Sequence, residues 1–134
     1  MDNHERLLKM GRVKGDDIAM RLVNFGASVV RLVAALPQDR AGKHIADQLL
    51  RSATSGGSNY EAARSAQSRR DFVHKVCLAA KEMRASVYWL GLVERARLVP
   101  HHEIPPMLRE ASELVAILMA SARTAGAATL EEPA

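Results

Sequence analysis

The chain has 134 residues, 48% of them apolar, 4% aromatic and 25% charged, with a formal net charge of +4. That length allows one domain with one core, and the apolar share excludes a chain disordered along most of its length. The single cysteine, Cys77, excludes an internal disulfide and a cysteine metal site.

In chain order, residues 1–15 are polar and contain Gly11 and Gly15, which predicts a flexible lead-in. Helix 1 is expected from Asp16 or Asp17, both suited to a helix start, with a stripe of Ile18, Leu22, Phe25, Val29, Leu32 and Leu36 that Pro37 ends. Helix 2 is expected over 41–66. Its stripe is Ile45, Leu49, Ser52/Ala53, Gly56, Tyr60 and Ala63, small or polar where a core stripe is usually bulky. Gly56-Gly57 costs about 1 kcal/mol per glycine relative to Ala, but the stripe keeps its phase across the pair, which predicts one continuous helix.

Helix 3 opens at Ser68, an N-cap residue with Asp71 three positions on, and continues to about Ala96. Its main stripe is Phe72, Val76, Ala79, Met83, Val87 and Leu90. A second stripe, Leu78, Ala85, Trp89 and Leu92, lies about 120–140° away at 100° per residue. Helix 4 has Pro105 and Pro106 in its first turn and the stripe Leu108, Ala111, Leu114/Val115, Leu118, Met119 and Ala122. Small residues then predict a disordered tail over 125–134. Four helices with short connections predict an all-α, antiparallel up-down-up-down four-helix bundle over 16–124.

Charge is uneven. Residues 40–84 hold nine Lys/Arg and four acids. Arg64, Arg69, Arg70 and Lys75 cluster around the turn between helices 2 and 3, as a candidate site for RNA or DNA; the bland alternative is a solvated helix face. Such binding would be independent of base sequence, because no helix-turn-helix, zinc-finger or stacking-platform pattern is present. Leu78, Ala85, Trp89 and Leu92 are the candidate subunit interface of a homo-oligomer, since Trp is a favoured anchor and a soluble monomer rarely exposes a large apolar stripe. Asn59, Glu61, Lys75, Lys81 and Glu82 form a candidate polar network between helices 2 and 3, fixing register. The alternative for these five is a ligand or nucleic-acid site.

No catalytic, cofactor or metal site is read from the sequence. His44, His74, His101 and His102 lack a helical i, i+4 pair, Cys77 has no histidine placed to activate it, and GRVKGD lacks the context of a phosphate loop. The expectation is a protein that is not an enzyme. No apolar run approaches the roughly 20 residues that span a bilayer, and the N-terminus lacks a signal-peptide core. No membrane association is therefore expected, and the location is the cytoplasm.

From Ser55 to Leu90 the residues fit a known pattern: Ser55, Gly57, Asn59, Tyr60, Glu61, Ala66, Ser68, Asp71, Phe72, Lys75, Ala80, Lys81, Glu82, Tyr88, Trp89 and Leu90. The chain thereby resembles the 23S rRNA-intervening-sequence proteins, also labelled S23 ribosomal-protein-like. The outer helices match only in apolar pattern. Two departures stand in this block: Ala62 where the pattern has an acid, and Ala85 where a second acid follows Glu82. The resemblance implies a bundle assembling into a ring-like homo-oligomer, a pentamer, with no established enzymatic activity. Related bundles accompany reverse transcriptases and bind nucleic acid. The chain is thus expected to be a scaffold with weak contact to RNA or DNA; the alternative is a pure protein–protein adaptor, for example of a reverse transcriptase.

Overall fold

The computed structural model describes residues 15–131, with side chains through Ala127. The expected lead-in over 1–15 lies, apart from Gly15, outside the described residues. Four long helices account for nearly all of the rest: α1 (Asp16–Ala34), α2 (Arg40–Arg64), α3 (Arg69–Arg95) and α4 (Ile104–Glu131), with a 3₁₀ turn, His101–Glu103, before α4. No strand occurs among the described residues.

The helix ends follow local chemistry. Gly15, not an aspartate, occupies the N-cap of α1; its φ of 98° is a left-handed conformation open to glycine, and no side chain caps there. Asp16 and Asp17 sit instead in the first turn, where they favour the positive helix end. The Asp39 carboxylate accepts from the Gly42 amide at 2.8 Å to start α2. The Ser68 hydroxyl accepts from the Asp71 amide at 3.0 Å to start α3, as its sequence predicts. Past α3 the Leu98 amide donates to the Val93 carbonyl at 3.2 Å and the Arg97 amide to Glu94 at 3.1 Å, closing a Schellman motif. Arg97 takes the left-handed position (φ 55°) that glycine usually fills.

α2 is unbroken across Gly56-Gly57. α4 continues to Glu131, beyond residue 125 where a tail was expected. The intervening residues are rich in Ala, a strong helix former, so small side chains there extend the helix rather than end it.

Consecutive helices pack on one another, and α1 also packs on α4. The core takes Leu22, Phe25 and Val29 from α1, Leu49 and Ala53 from α2, Val76, Met83 and Leu90 from α3, and Leu114 and Leu118 from α4, all nearly inaccessible to solvent. α2 and α3 approach through small residues. The Ser52 and Ser86 hydroxyls, both fully buried, lie 2.8 Å apart. The two hydroxyls have two hydrogens between them: one donates across to its partner, and the partner donates to a carbonyl of its own helix, Leu49 for Ser52 or Glu82 for Ser86, so neither is stranded in the core. At Gly56 an added Cβ would lie 2.7 Å from the Met83 sulfur, whereas at Gly26 in α1 it would meet nothing within 4 Å.

The two glycines therefore predict opposite outcomes in chemical denaturation. Gly26→Ala is expected to raise unfolding free energy by about 0.5–1 kcal/mol through helix propensity. Gly56→Val is expected to lower it by about 2 kcal/mol by overpacking, with partial recovery on adding Met83→Ala.

Candidate interaction surfaces

The turn between α2 and α3 holds two of its cations, Arg64 and Lys75, in ion pairs within the chain. Arg64 bonds the carboxylates of Asp16 on α1 and Glu61 on its own helix, the latter at 3.0 Å. Lys75 bonds Asp71 at 2.9 Å, which holds the Asp71 carboxyl below its usual range. Arg69 is exposed but also engaged, and Arg70 is exposed. Of the four candidate nucleic-acid residues, then, Arg64 and Lys75 are half-buried and tied to acids of their own chain, away from an open phosphate-binding surface.

A longer cationic surface runs along α3. Arg70, His74, Cys77, Lys81, Arg84, Tyr88 and Arg95 recur at steps of three, four and seven, and all are exposed. At 1.5 Å per residue this outward ridge is about 37 Å long. It carries no acid. Tyr88, 63% exposed, projects from it as an aromatic face. The turn cluster drew attention because its cations are close in sequence; the ridge spreads them over seven helical turns, where only the helical period links them.

The expected polar network forms only in part. Asn59 donates to the Ser55 carbonyl of its own helix at 2.9 Å. Glu61 and Lys75 also pair within their own helices, and Lys81 stands exposed on the ridge. Glu82 alone crosses, to Arg51 of α2 at 3.3 Å. The buried contact between these helices is Ser52–Ser86 instead. Ser86 shares the phase of Val76, Met83 and Leu90, so the helical period marked it, but a hydroxyl is easily passed over in an apolar stripe.

The candidate interface residues Leu78, Ala85, Trp89 and Leu92 are half-buried in the single chain. Trp89 and Leu92 pack against the core, and the Trp89 ring meets His44 of α2 and Tyr88 edge-on, at 5.8 and 4.9 Å. The large apolar side chains most open to solvent, besides Tyr88, are on α1: Met20 and Val23, each 60% exposed, and Val30 at 51%. With Ala27 and Ala34 they follow helical spacing on the side away from the Leu22–Phe25–Val29 stripe. That second stripe of α1 was legible in the sequence but masked by the stronger core pattern.

α1 meets α4 through charge. Arg21 donates to both Glu110 oxygens, from Nε at 3.0 Å and Nη2 at 2.6 Å, and Nη2 also reaches Glu113 at 3.1 Å. The guanidinium holds the Glu110 carboxyl below its usual range. Among the described residues no group of three His, Cys, Asp or Glu is placed to hold a metal.

Residues 17–120 match the profile of the 23S rRNA-intervening sequence protein family. The chain belongs to that family. A solved structure from Bacteroides thetaiotaomicron, described as a protein of unknown function from the S23 ribosomal protein family, is similar at 28% identity with a TM-score of 0.73. The match covers 78% of this chain and 97% of that one. No curated protein matches. The family places the chain among four-helix proteins of unknown function, so any role must be argued from its surfaces.

The Arg21–Glu110 pair predicts a pH dependence. A carboxyl with a lowered folded pKa contributes stability above the ordinary carboxylate range, and loses it as pH falls through the folded value. Glu110→Gln should lower unfolding free energy at neutral pH by no more than about 1 kcal/mol, since the pair is one-third exposed. It should also flatten the acid limb of a stability–pH curve; an unchanged acid limb would show the pair to be inert.

Proposed function

We propose that the chain is a self-associating, non-catalytic scaffold that holds RNA or DNA weakly and without base preference. The observation that carries this reading is the acid-free ridge of Arg70, His74, Lys81, Arg84 and Arg95 on α3, with Tyr88 among them. A line of cations on a convex helix follows one phosphate backbone, and an exposed ring offers any base a stacking face. The ridge replaces the α2–α3 turn as the main contact, leaving Arg70 common to both.

An antiparallel up-down-up-down bundle is supported by contacts that descend on one helix as they ascend on the next. Asp16 meets Arg64 and Leu22 lies beside Gly57; Ser52 meets Ser86 and Gly56 meets Met83. Self-association is supported by two unlike apolar surfaces, the outer stripe of α1 and the half-buried Leu78, Trp89 and Leu92 edge of α3. Unlike faces joined head to tail close into a ring when the rotation permits, and five subunits is the number the family resemblance implies. A cytoplasmic location fits the absence, among the described residues, of any helix long and apolar enough to cross a membrane. The exposed stripe of α1 also favours a second reading, a protein adaptor (for a reverse transcriptase, for example) with no nucleic-acid contact.

Fluorescence anisotropy with a labelled single-stranded oligonucleotide separates the two. Lys81→Glu with Arg84→Glu should weaken binding at least tenfold and reduce the slope of log K against log salt by about 1.4. Arg109→Glu with Arg123→Glu, both exposed on α4, should change it little. No binding at low salt would leave the adaptor reading. In sedimentation, Val23→Glu should shift the protein toward a 14.6 kDa monomer; a wild-type chain already monomeric at micromolar concentration refutes self-association.

A further inference from the structure

One end of the bundle holds a cavity of about 710 Å³ lined from all four helices. Its apolar walls include Ile18 from α1, Phe72 from α3 and Ala120 from α4. Its polar groups include Tyr60 and Arg64 from α2 and Ser121 and Thr124 from α4. The volume is that of a small-molecule site, and so is the composition, mostly apolar with a few convergent polar groups.

Two features distinguish the cavity from a packing defect. Tyr60 is only 3% exposed, yet its hydroxyl makes no hydrogen bond among the described residues. Buried tyrosine hydroxyls ordinarily find a partner. This one opens onto the cavity, where a ligand atom or water would supply it. Burial pushes the phenol above its ordinary value, so it remains a protonated donor at neutral pH. Secondly, Gly15 stands against that hydroxyl: a Cβ there would come within 2.5 Å of the Tyr60 oxygen. The left-handed glycine at the start of α1 thus keeps the hydroxyl's surroundings clear.

Arg64 supplies the second donor. Nη1 bonds Glu61 and Nη2 bonds Asp16, which fix the guanidinium in place while using two of its five N–H groups. The two carboxylates are engaged by Arg64. The charged residues lining the cavity are Arg64 and Arg69, with no acid among them, so it offers cationic donors and hydroxyls beside an apolar floor.

We infer that this cavity is a binding site for a small amphipathic molecule whose hydrogen-bond-accepting head, a carboxylate, meets Tyr60 and Arg64 while its hydrocarbon body lies on Ile18 and Phe72. The site is independent of the ridge and of the α1 stripe; neither surface contributes a residue to it.

The test is titration of the full chain with 4-phenylbutyrate and with 4-phenylbutylamine, which share a body and differ in the head, followed by amide NMR shifts. Saturable shifts confined to the first turns of α1 and α3, the last turn of α2 and residues around 120–125 of α4 are expected for the acid, with the amine at least tenfold weaker. Tyr60→Phe, which removes only the hydroxyl, should weaken the acid several-fold with the fold intact. Ala120→Trp, a substitution at an exposed position on the cavity wall, should abolish binding. Equal binding of the two probes, no saturable binding of either, or shifts centred on the outer stripe of α1 would overturn the assignment. So would a Tyr60→Phe chain that binds like the wild type.

Discussion

Between α2 and α3 the side chains are small: Ser52 and Gly56 on one helix meet Ser86, Met83 and Ala79 on the other. Two large aliphatic residues at 52 and 86 would hold the helices further apart; a pair of hydroxyls 2.8 Å apart brings them close. The polar character does not destabilise the core, because both hydroxyl hydrogens find acceptors, one across the seam and one on a backbone carbonyl of its own helix. A hydroxyl pair is also directional where methyl groups are not, so it selects one register of α3 against α2.

The outer surfaces follow from that rotation of α3. With Val76, Met83, Ser86 and Leu90 turned inward, the line from Arg70 to Arg95 must face solvent. Leu78, Trp89 and Leu92 come to lie at the edge facing α2, where His44 partly covers the Trp89 ring. Turning α3 by about 100°, the angle of one residue step, would carry the cations toward the core and expose the tryptophan. The charge of the ridge and the half-burial of the expected interface are therefore two results of one packing choice. At the far end of the seam, Tyr60 and Arg64 are carried on the last turns of α2, beside the cavity.

Much of this fold is readable from residue order alone. Ser68 with Asp71 marks the start of α3, and the phase of Ile45, Leu49 and Ala53 carries through Gly56 to Tyr60. The core face of each helix follows the 3.6-residue period. Features set by non-local contact are not legible in that way. Nothing near Arg64 in sequence announces that Asp16, on another helix, pairs with it; of four cations close in sequence, Arg64 and Lys75 are ion-paired within the chain and Arg70 faces outward. Asn59 and Lys81 seemed partners across two helices, but one turns back to its own backbone and the other points outward. The end of α4 is not legible because Ala can end an apolar stripe while extending a helix. The cavity has no sequence signature, since its walls come from four segments and its clearance depends on the backbone conformation of Gly15.

The exposed Cys77, between His74 and Lys81 on the ridge, is the only thiol in the chain. It makes the molecule a ready-made spectroscopic ruler. One dye or spin label can be attached per subunit without removing any other cysteine. It would stand on a long rigid helix, with little uncertainty from local motion. In any assembly the labels repeat with the symmetry, so the pattern of distances between them counts the copies and gives the radius on which they sit.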